Sequence, residues 1–300
     1  MRRAAGVVAL GATIALVGAG VGAGATIAAP HSSAVNPTMP TIKVTASGKH
    51  TYTVSGLTTF TAGRVQLVLK SVKGEHEAEL GSLHKGYTFK KLRADLKAFG
   101  QKQGSGKNGS TPKSALRHLN RAISHSNFYG GLDSIAGQTE RGTMVLPKPG
   151  TYYVVNDTNL PKAAQKLTVT GPKVNRAAPK SSVTETALTT RRFGGPTHLP
   201  AKGTITFKNK STESPHFLAM AHVKKGTTKK QVLNELQSNG KGPNYFLKGQ
   251  AATDPVGEGN SQTLSYNVPK GTYAQVCFFP DPKTGMPHAF MGMIRIVHLK

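Results

Sequence analysis

The 300-residue chain has one cysteine and no tryptophan, and only 13 Asp and Glu stand against 39 Lys and Arg. Each shortage excludes something. A single thiol cannot close a disulfide within the chain, so Cys277 is buried, joined to another molecule, or used chemically. No Cys-x-x-Cys, His-Glu-x-x-His or Gly-x-Ser-x-Gly is present, nor a phosphate-cradling glycine loop, so the common zinc, hydrolase and nucleotide machinery is missing. There is no His-x-His either. Hydrophobic residues make up 37% and aromatics 6%, enough for packed but modest cores, and the length suits two ordinary domains.

Met1-Arg2-Arg3, followed by an uncharged Ala/Gly/Val/Leu stretch to Ala29, reads as a secretory signal peptide over residues 1–29 cleaved near Ala28 or Ala29. An uncleaved membrane anchor is the alternative. Either way the chain is expected to be secreted or associated with the cell envelope. Loss of Arg2 and Arg3 with the leader takes the formal charge from +26 to +24. Such a charge favours anionic surroundings, here envelope polymers or lipid headgroups. It is concentrated: ten Lys and Arg lie between residues 85 and 125, against the single Asp95. An exported protein seldom meets nucleic acid, so none is expected as a partner.

Beyond a Pro/Ser/Thr-rich lead at 30–40, the chain repeats itself. At an offset of 140, Gly63, Lys70, Ser71, His76, Gly86, Thr88 and Leu96 reappear as Gly203, Lys210, Ser211, His216, Gly226, Thr228 and Leu236. At an offset of 121, Gly150-Thr151-Tyr152 lies over Gly271-Thr272-Tyr273. The expected organisation is one copy over 41–172, a soft linker over 173–185, and a second copy over 186–300. The first copy is longer in its middle, where two helical patterns (Leu92, Leu96, Phe99 and Leu116, Leu119, Ile123) flank a Gly/Ser/Lys stretch. The second keeps one helix, capped by Thr228 and carrying Val232 and Leu236. The remaining segments, among them GRVQLVLK, GTYYVVN, GTITFKN, GTYAQVCFF and MIRIVHL, alternate as strands. The expected fold is all-β with short helical insertions, as two antiparallel Greek-key sandwiches in tandem.

The second copy places Asn209 and SPHFLAM with His216, then GTYAQVCFFP with Cys277, then PHAFMGMIRIV with His288 and Met293. A strand ending in Cys, a loop, a His, and a Met leading into the last strand resembles the cupredoxins, the blue-copper family. The resemblance implies a cupredoxin-like sandwich from about 186 to 300 holding one type 1 copper through His216, Cys277, His288 and Met293. Two imidazoles and a thiolate with a weak axial thioether suit both oxidation states of copper. Ten residues separate Cys277 from His288, more than in the small electron carriers of the family, and the insert DPKTG has the turn chemistry to bulge outward and return His288. Met291 and Met286 compete with Met293 as axial ligand, and His222 with His216 as first ligand.

In the first copy Asn156 stands where Cys277 does, and only His76 of the four positions remains, so that copy is expected to be metal-free. Multicopper oxidases and nitrite reductases need paired imidazoles and a His before the strand cysteine; here Val276 precedes Cys277, so no enzyme is expected. The function read is exported one-electron transfer with an unidentified redox partner, through a His288 edge flanked by an apolar patch of Met286, Pro287 and Phe290. A metal-free envelope-binding module and a copper carrier or buffer are the alternatives.

Overall fold

The computed structural model describes residues 38–48, 51–106, 110–156, 164–238 and 242–300. The expected signal peptide and most of the lead at 30–40 lie outside these residues. Strands dominate. The first copy runs β1 (Thr41–Gly48), β2 (Thr51–Gly56), β3 (Thr59–Ser71), β4 (His76–Leu83), α1 (Phe89–Gly100), α2 (Lys113–Ser124), β5 (Ser126–Ser134), β6 (Thr139–Leu146), β7 (Gly150–Val155) and β8 (Ala164–Val174). There follow β9 (Val183–Leu188), β10 (Arg192–Gly194), β11 (His198–Leu199), β12 (Lys202–Asn209), β13 (Ala219–Val223), α3 (Lys229–Gln237), β14 (Phe246–Ala252), β15 (Ser261–Asn267), β16 (Gly271–Val276) and β17 (Ile294–Leu299). Among the described residues no helix is long and apolar enough to cross a membrane.

The strands form a β-sandwich architecture with few helices. One sheet has the order β10-β9-β12-β15-β6-β3-β8-β7-β4-β5, with β1 and β2 attached beside β3; a second has the order β11-β17-β16-β13-β14. In the second copy, Ile205, Phe207 and Leu264 of the long sheet pack with Tyr273, Val276 and Val297 of the short one, all buried in one apolar cluster. Most pairs are antiparallel, as expected. The pairs β1/β3, β3/β8, β9/β12 and β11/β17 run parallel instead, because a hairpin joins none of them and each requires a crossover.

The repeat recurs in side-chain chemistry. Tyr152 donates its hydroxyl to Lys148 O at 2.8 Å and Tyr273 to Pro269 O at 2.7 Å, the same four-residue reach in both copies. Thr88 and Thr228 cap α1 and α3 through their side chains, satisfying amides that a helix N-terminus leaves free. The equivalent strands β6 and β15 pair with each other, Thr143 opposite Thr263 and Gly142 opposite Leu264, so the long sheet passes between the copies about a local pseudo-twofold.

The segment expected as a soft linker is shorter and more firmly held. β8 continues to Val174 and β9 begins at Val183, and between them Arg176 is buried and donates to the carbonyl oxygens of Ala62 and Arg64 at 3.2 and 3.3 Å. A buried guanidinium keeps such partners because an unpaired one is costly.

Candidate metal centre

His216 lies between β12 and β13, and Asn209 sets that stretch in place. Its amide nitrogen donates to Ser214 O at 3.0 Å and Val256 O at 2.8 Å, and its oxygen accepts from Ser211 N–H at 2.9 Å. His216 and Val256 then exchange both backbone bonds, at 3.1 and 2.7 Å. Cys277 stands one residue beyond β16, yet its backbone stays zipped to the return segment. Its N–H donates to Met293 O at 3.2 Å and its O accepts from Ala289 N–H at 2.7 Å, while His288 N–H donates to Phe279 O at 3.1 Å and Met293 N–H to His288 O at 2.9 Å.

The long Cys277–His288 spacing closes on itself. A bridge pairs Pro280 with Pro287, and between them Asp281 N–H donates to Met286 O at 2.9 Å while Gly285 N–H donates to Asp281 O at 2.8 Å. The Asp281 carboxylate accepts from Lys283 N–H (3.1 Å), Thr284 N–H (2.7 Å) and the Thr284 hydroxyl (2.9 Å) on one oxygen, and from Arg191 (3.1 and 2.6 Å) on the other. Burial alone would raise its pKa, but the Thr284 bonds and Arg191 outweigh it, so the carboxylate is held below its usual range. The insert is thus a tied side loop, which is how the chain returns His288 to Cys277.

Cys277 Sγ lies 3.7 Å from His216 Nδ1 and 3.8 Å from His288 Nδ1, and the two rings are 4.5 Å apart between centroids. All three side chains are 0% exposed. They form a group whose ligand atoms all lie within 4.8 Å of one another. Among the described residues, both Nε2 atoms are buried with no hydrogen-bond partner. Met293, five residues after His288, is buried too. Met291, half-buried, turns its sulfur to the Thr284 hydroxyl at 4.0 Å. His222 is elsewhere, stacked on Tyr273 at 4.7 Å with Nδ1 2.9 Å from Lys248 O, and His298 is exposed beside His198. In the first copy Asn156 Nδ2 faces His76 Nδ1 at 3.3 Å, and His76 Nε2 meets Lys73 O at 2.8 Å, so both ring nitrogens there face polar neighbours.

Burial sets the protonation of the cluster. It pushes the Cys277 thiol up to about 12, with backbone bonds from Phe217 and Phe279 opposing. It pushes His216 down to about 3, aided by His288 and Arg191, and His288 down to about 4, where Asp281 opposes and Arg191 assists. At neutral pH the group is a thiol and two neutral imidazoles. In the unfolded chain both imidazoles take up protons near pH 6.5, whereas the folded chain resists to about pH 4 and 3. The unfolded state therefore binds more protons in that window, so stability is lost as pH falls through it. Thermal melts of the metal-free protein should move down in temperature from pH 7 to pH 4, and replacing either His with Gln should flatten the profile.

The first copy covers this centre, which the sequence did not announce. Tyr129 of β5 bridges Val256, the partner of His216. Thr111 N–H donates to Gly285 O at 2.9 Å, and Asn120 Nδ2 on α2 donates to Pro282 O at 2.9 Å. Gly285, at φ +71°, fits there because a Cβ would strike the Thr111 backbone and the Leu116 side chain. At the expected exchange edge the His288 ring is fully buried, and Met286, Pro287 and Phe290 beside it are half-buried.

No protein-family model matches the chain, and no curated protein matches it. Solved structures do. A dithionite-reduced auracyanin from Roseiflexus castenholzii aligns at 21% identity and TM-score 0.28, covering 41% of this chain and 99% of that one. Auracyanin A, a "blue" copper protein from Chloroflexus aurantiacus, aligns at 18% and 0.29, covering 43% and 98%. Copper nitrite reductase from Nitrosomonas europaea aligns at 14% and 0.22, covering 88% and 94%.

Proposed function

We propose that this is an exported copper protein in which the second of two tandem sandwiches holds one type 1 copper for single-electron transfer, and the first is a metal-free support. The observation that carries the reading is the meeting of Cys277 Sγ with the Nδ1 atoms of His216 and His288 at 3.7 and 3.8 Å. Bonds of about 2.0 Å to nitrogen and about 2.3 Å to sulfur, spread trigonally around one ion, place sulfur and nitrogen about 3.7 Å apart. Both sulfur–nitrogen pairs already stand at that separation. Ligation through Nδ1 puts the proton of each ring on Nε2, where among the described residues no acceptor meets it, a desolvation cost that the bond to the metal must outweigh.

Copper held by these side chains would accept or release one electron. The chain's own part is to keep the donors still. Asn209 fixes the stretch before His216, the backbone ladder from Cys277 to Met293 fixes the thiol, and Asp281 fixes the loop before His288. Immobile ligands leave little to reorganise when the charge changes. Met293 is the axial ligand in this reading, since its backbone bonds to both Cys277 and His288 and its side chain is buried, whereas the Met291 sulfur faces Thr284. Carriage rather than oxidase chemistry is favoured by Val276, an aliphatic side chain in the position before Cys277.

Cu(II) added to the purified protein should produce an intense visible thiolate-to-copper band at one equivalent, and Cys277→Ser should abolish it. No band, or a band that survives the substitution, removes the reading.

A further inference from the structure

The second copy carries another pair of histidines, away from the buried cluster. β11 is the edge strand of the short sheet and runs parallel to β17, with His198 directly opposite His298 and Leu199 opposite Leu299. Three backbone bonds seat this edge: His298 N–H donates to Thr197 O at 2.8 Å, Lys300 N–H to Leu199 O at 2.9 Å, and Ala201 N–H to Lys300 O at 2.8 Å. Successive side chains of a strand alternate between its faces, and Leu199 and Leu299 are buried in the core. His198 and His298 therefore stand together on the outer face, both exposed. Their rings lie 5.5 Å apart between centroids, inclined at 36°. Two imidazoles bonded to one ion at about 2.0 Å place their ring centres about 4.5–5.5 Å apart as the angle at the ion opens from about 90° to about 120°. The pair already falls in that range, so no backbone has to move. His198 Nδ1 lies 3.4 Å from the Thr197 hydroxyl, whose oxygen can accept a hydrogen bond from it and leave Nε2 as the donor to a metal.

The surroundings select the ion. Residues 197–202 and 294–300 contain no Asp or Glu, so calcium and magnesium find no carboxylate there. Neither stretch contains a Cys or Met to favour Cu(I). Two imidazole nitrogens, with water completing the shell, favour Cu(II) ahead of Ni(II) and Zn(II). His298 stands five residues beyond Met293, about 16 Å along an extended strand, so an ion held here is out of bonding reach of Cys277.

We propose that His198 and His298 form a second, surface site that takes up one Cu(II) ion from solution. Each imidazole donates a lone pair and displaces one water from the ion, whose oxidation state does not change. The inference stands apart from the copper reading of the buried cluster.

The test is a Cu(II) titration of the full chain without an affinity tag, followed by equilibrium dialysis, the visible band and electron paramagnetic resonance together. The wild type should take up a second equivalent after the band has saturated, with the resonance of nitrogen-ligated Cu(II) and no change in the band. His198→Gln or His298→Gln should weaken this ion at least about 100-fold, because one imidazole alone loses the gain of two linked donors, and should leave the band as it was. Both positions are exposed, so the substitutions leave the fold intact. His84→Gln, at an exposed histidine of the first copy, should change neither signal. A second equivalent that persists in both variants, or that His84→Gln removes equally, would show adventitious binding and overturn the site. A visible band with no second equivalent sinks the surface site alone. Uptake that depends on His198 and His298, without any band, sinks the buried copper centre and leaves the surface site standing.

Discussion

Asp281→Ala should lower the stability of the metal-free protein by about 3–5 kcal/mol and weaken copper binding by about 10–100-fold. The Asp281 carboxylate bonds to none of His216, Cys277, His288 or Met293, so the effect travels through the loop and through its charge near His288. Its side chain is 1% exposed and carries a salt bridge to Arg191 at 2.6 Å. Removing it leaves two amides and a hydroxyl of the turn, together with Arg191 Nε, without their acceptor, and Arg191 keeps only its 2.8 Å bond to exposed Glu213. Polar groups stranded in this way lose their bonding without regaining water. Arg191 also sits at φ 55°, a left-handed conformation that costs a non-glycine residue of order 1 kcal/mol and persists only where its surroundings enforce it. With the carboxylate gone, the turn and the segment at Arg191 both lose their anchor, and His288 loses its fixed approach to Cys277. Lys283→Ala, an exposed change in the same turn, should stay within about 0.5 kcal/mol. Chemical denaturation and a copper competition titration read the two effects separately; equal stability of Asp281→Ala and wild type would show that the turn is held by its backbone alone.

How much of this was written in the sequence depends on whether a feature is local. Strands such as GRVQLVLK and MIRIVHL alternate because one face of each meets a core, and they appear as β3 and β17. The helices announce themselves by apolar spacing and by Thr88 and Thr228 at their starts. β4 and β5 were not legible: HEAELGSL carries Glu77 and Glu79, and SNFYGGLDS carries two adjacent glycines, so neither reads as a core strand until its neighbours are known. The meeting of His216, Cys277 and His288 was inferred through a family pattern, whereas the Asp281 clamp was legible in principle, since Asp with Thr three residues on is turn chemistry. The contact of Thr111 with Gly285 had no local trace, because it joins residues 174 positions apart whose conformations are each satisfied by their own copy. This is why the cover that the first copy lays beside the His288 turn left no sign in the sequence.

Copper binding should be steeply pH-dependent, tightening about tenfold per pH unit between pH 5 and 9. The sign follows from the state of the donors. Burial holds the Cys277 thiol protonated up to about 12, while His216 and His288 lose their protons by about 3 and 4. Across the neutral range only the thiol must give up a proton to become a ligand, so one proton leaves per ion bound and the affinity rises with pH. Below pH 4 the imidazoles must also be deprotonated, and the dependence steepens towards three protons. Calorimetric titrations at pH 7 in buffers of different ionisation enthalpy should count close to one proton released, and Cys277→Ser should reduce that count to near zero while retaining weak binding by the two imidazoles. A wild-type protein that takes up copper with no proton release would mean that the sulfur never becomes a thiolate. The ion would then be held by nitrogen alone, and the low-reorganisation geometry on which rapid electron exchange depends would not form.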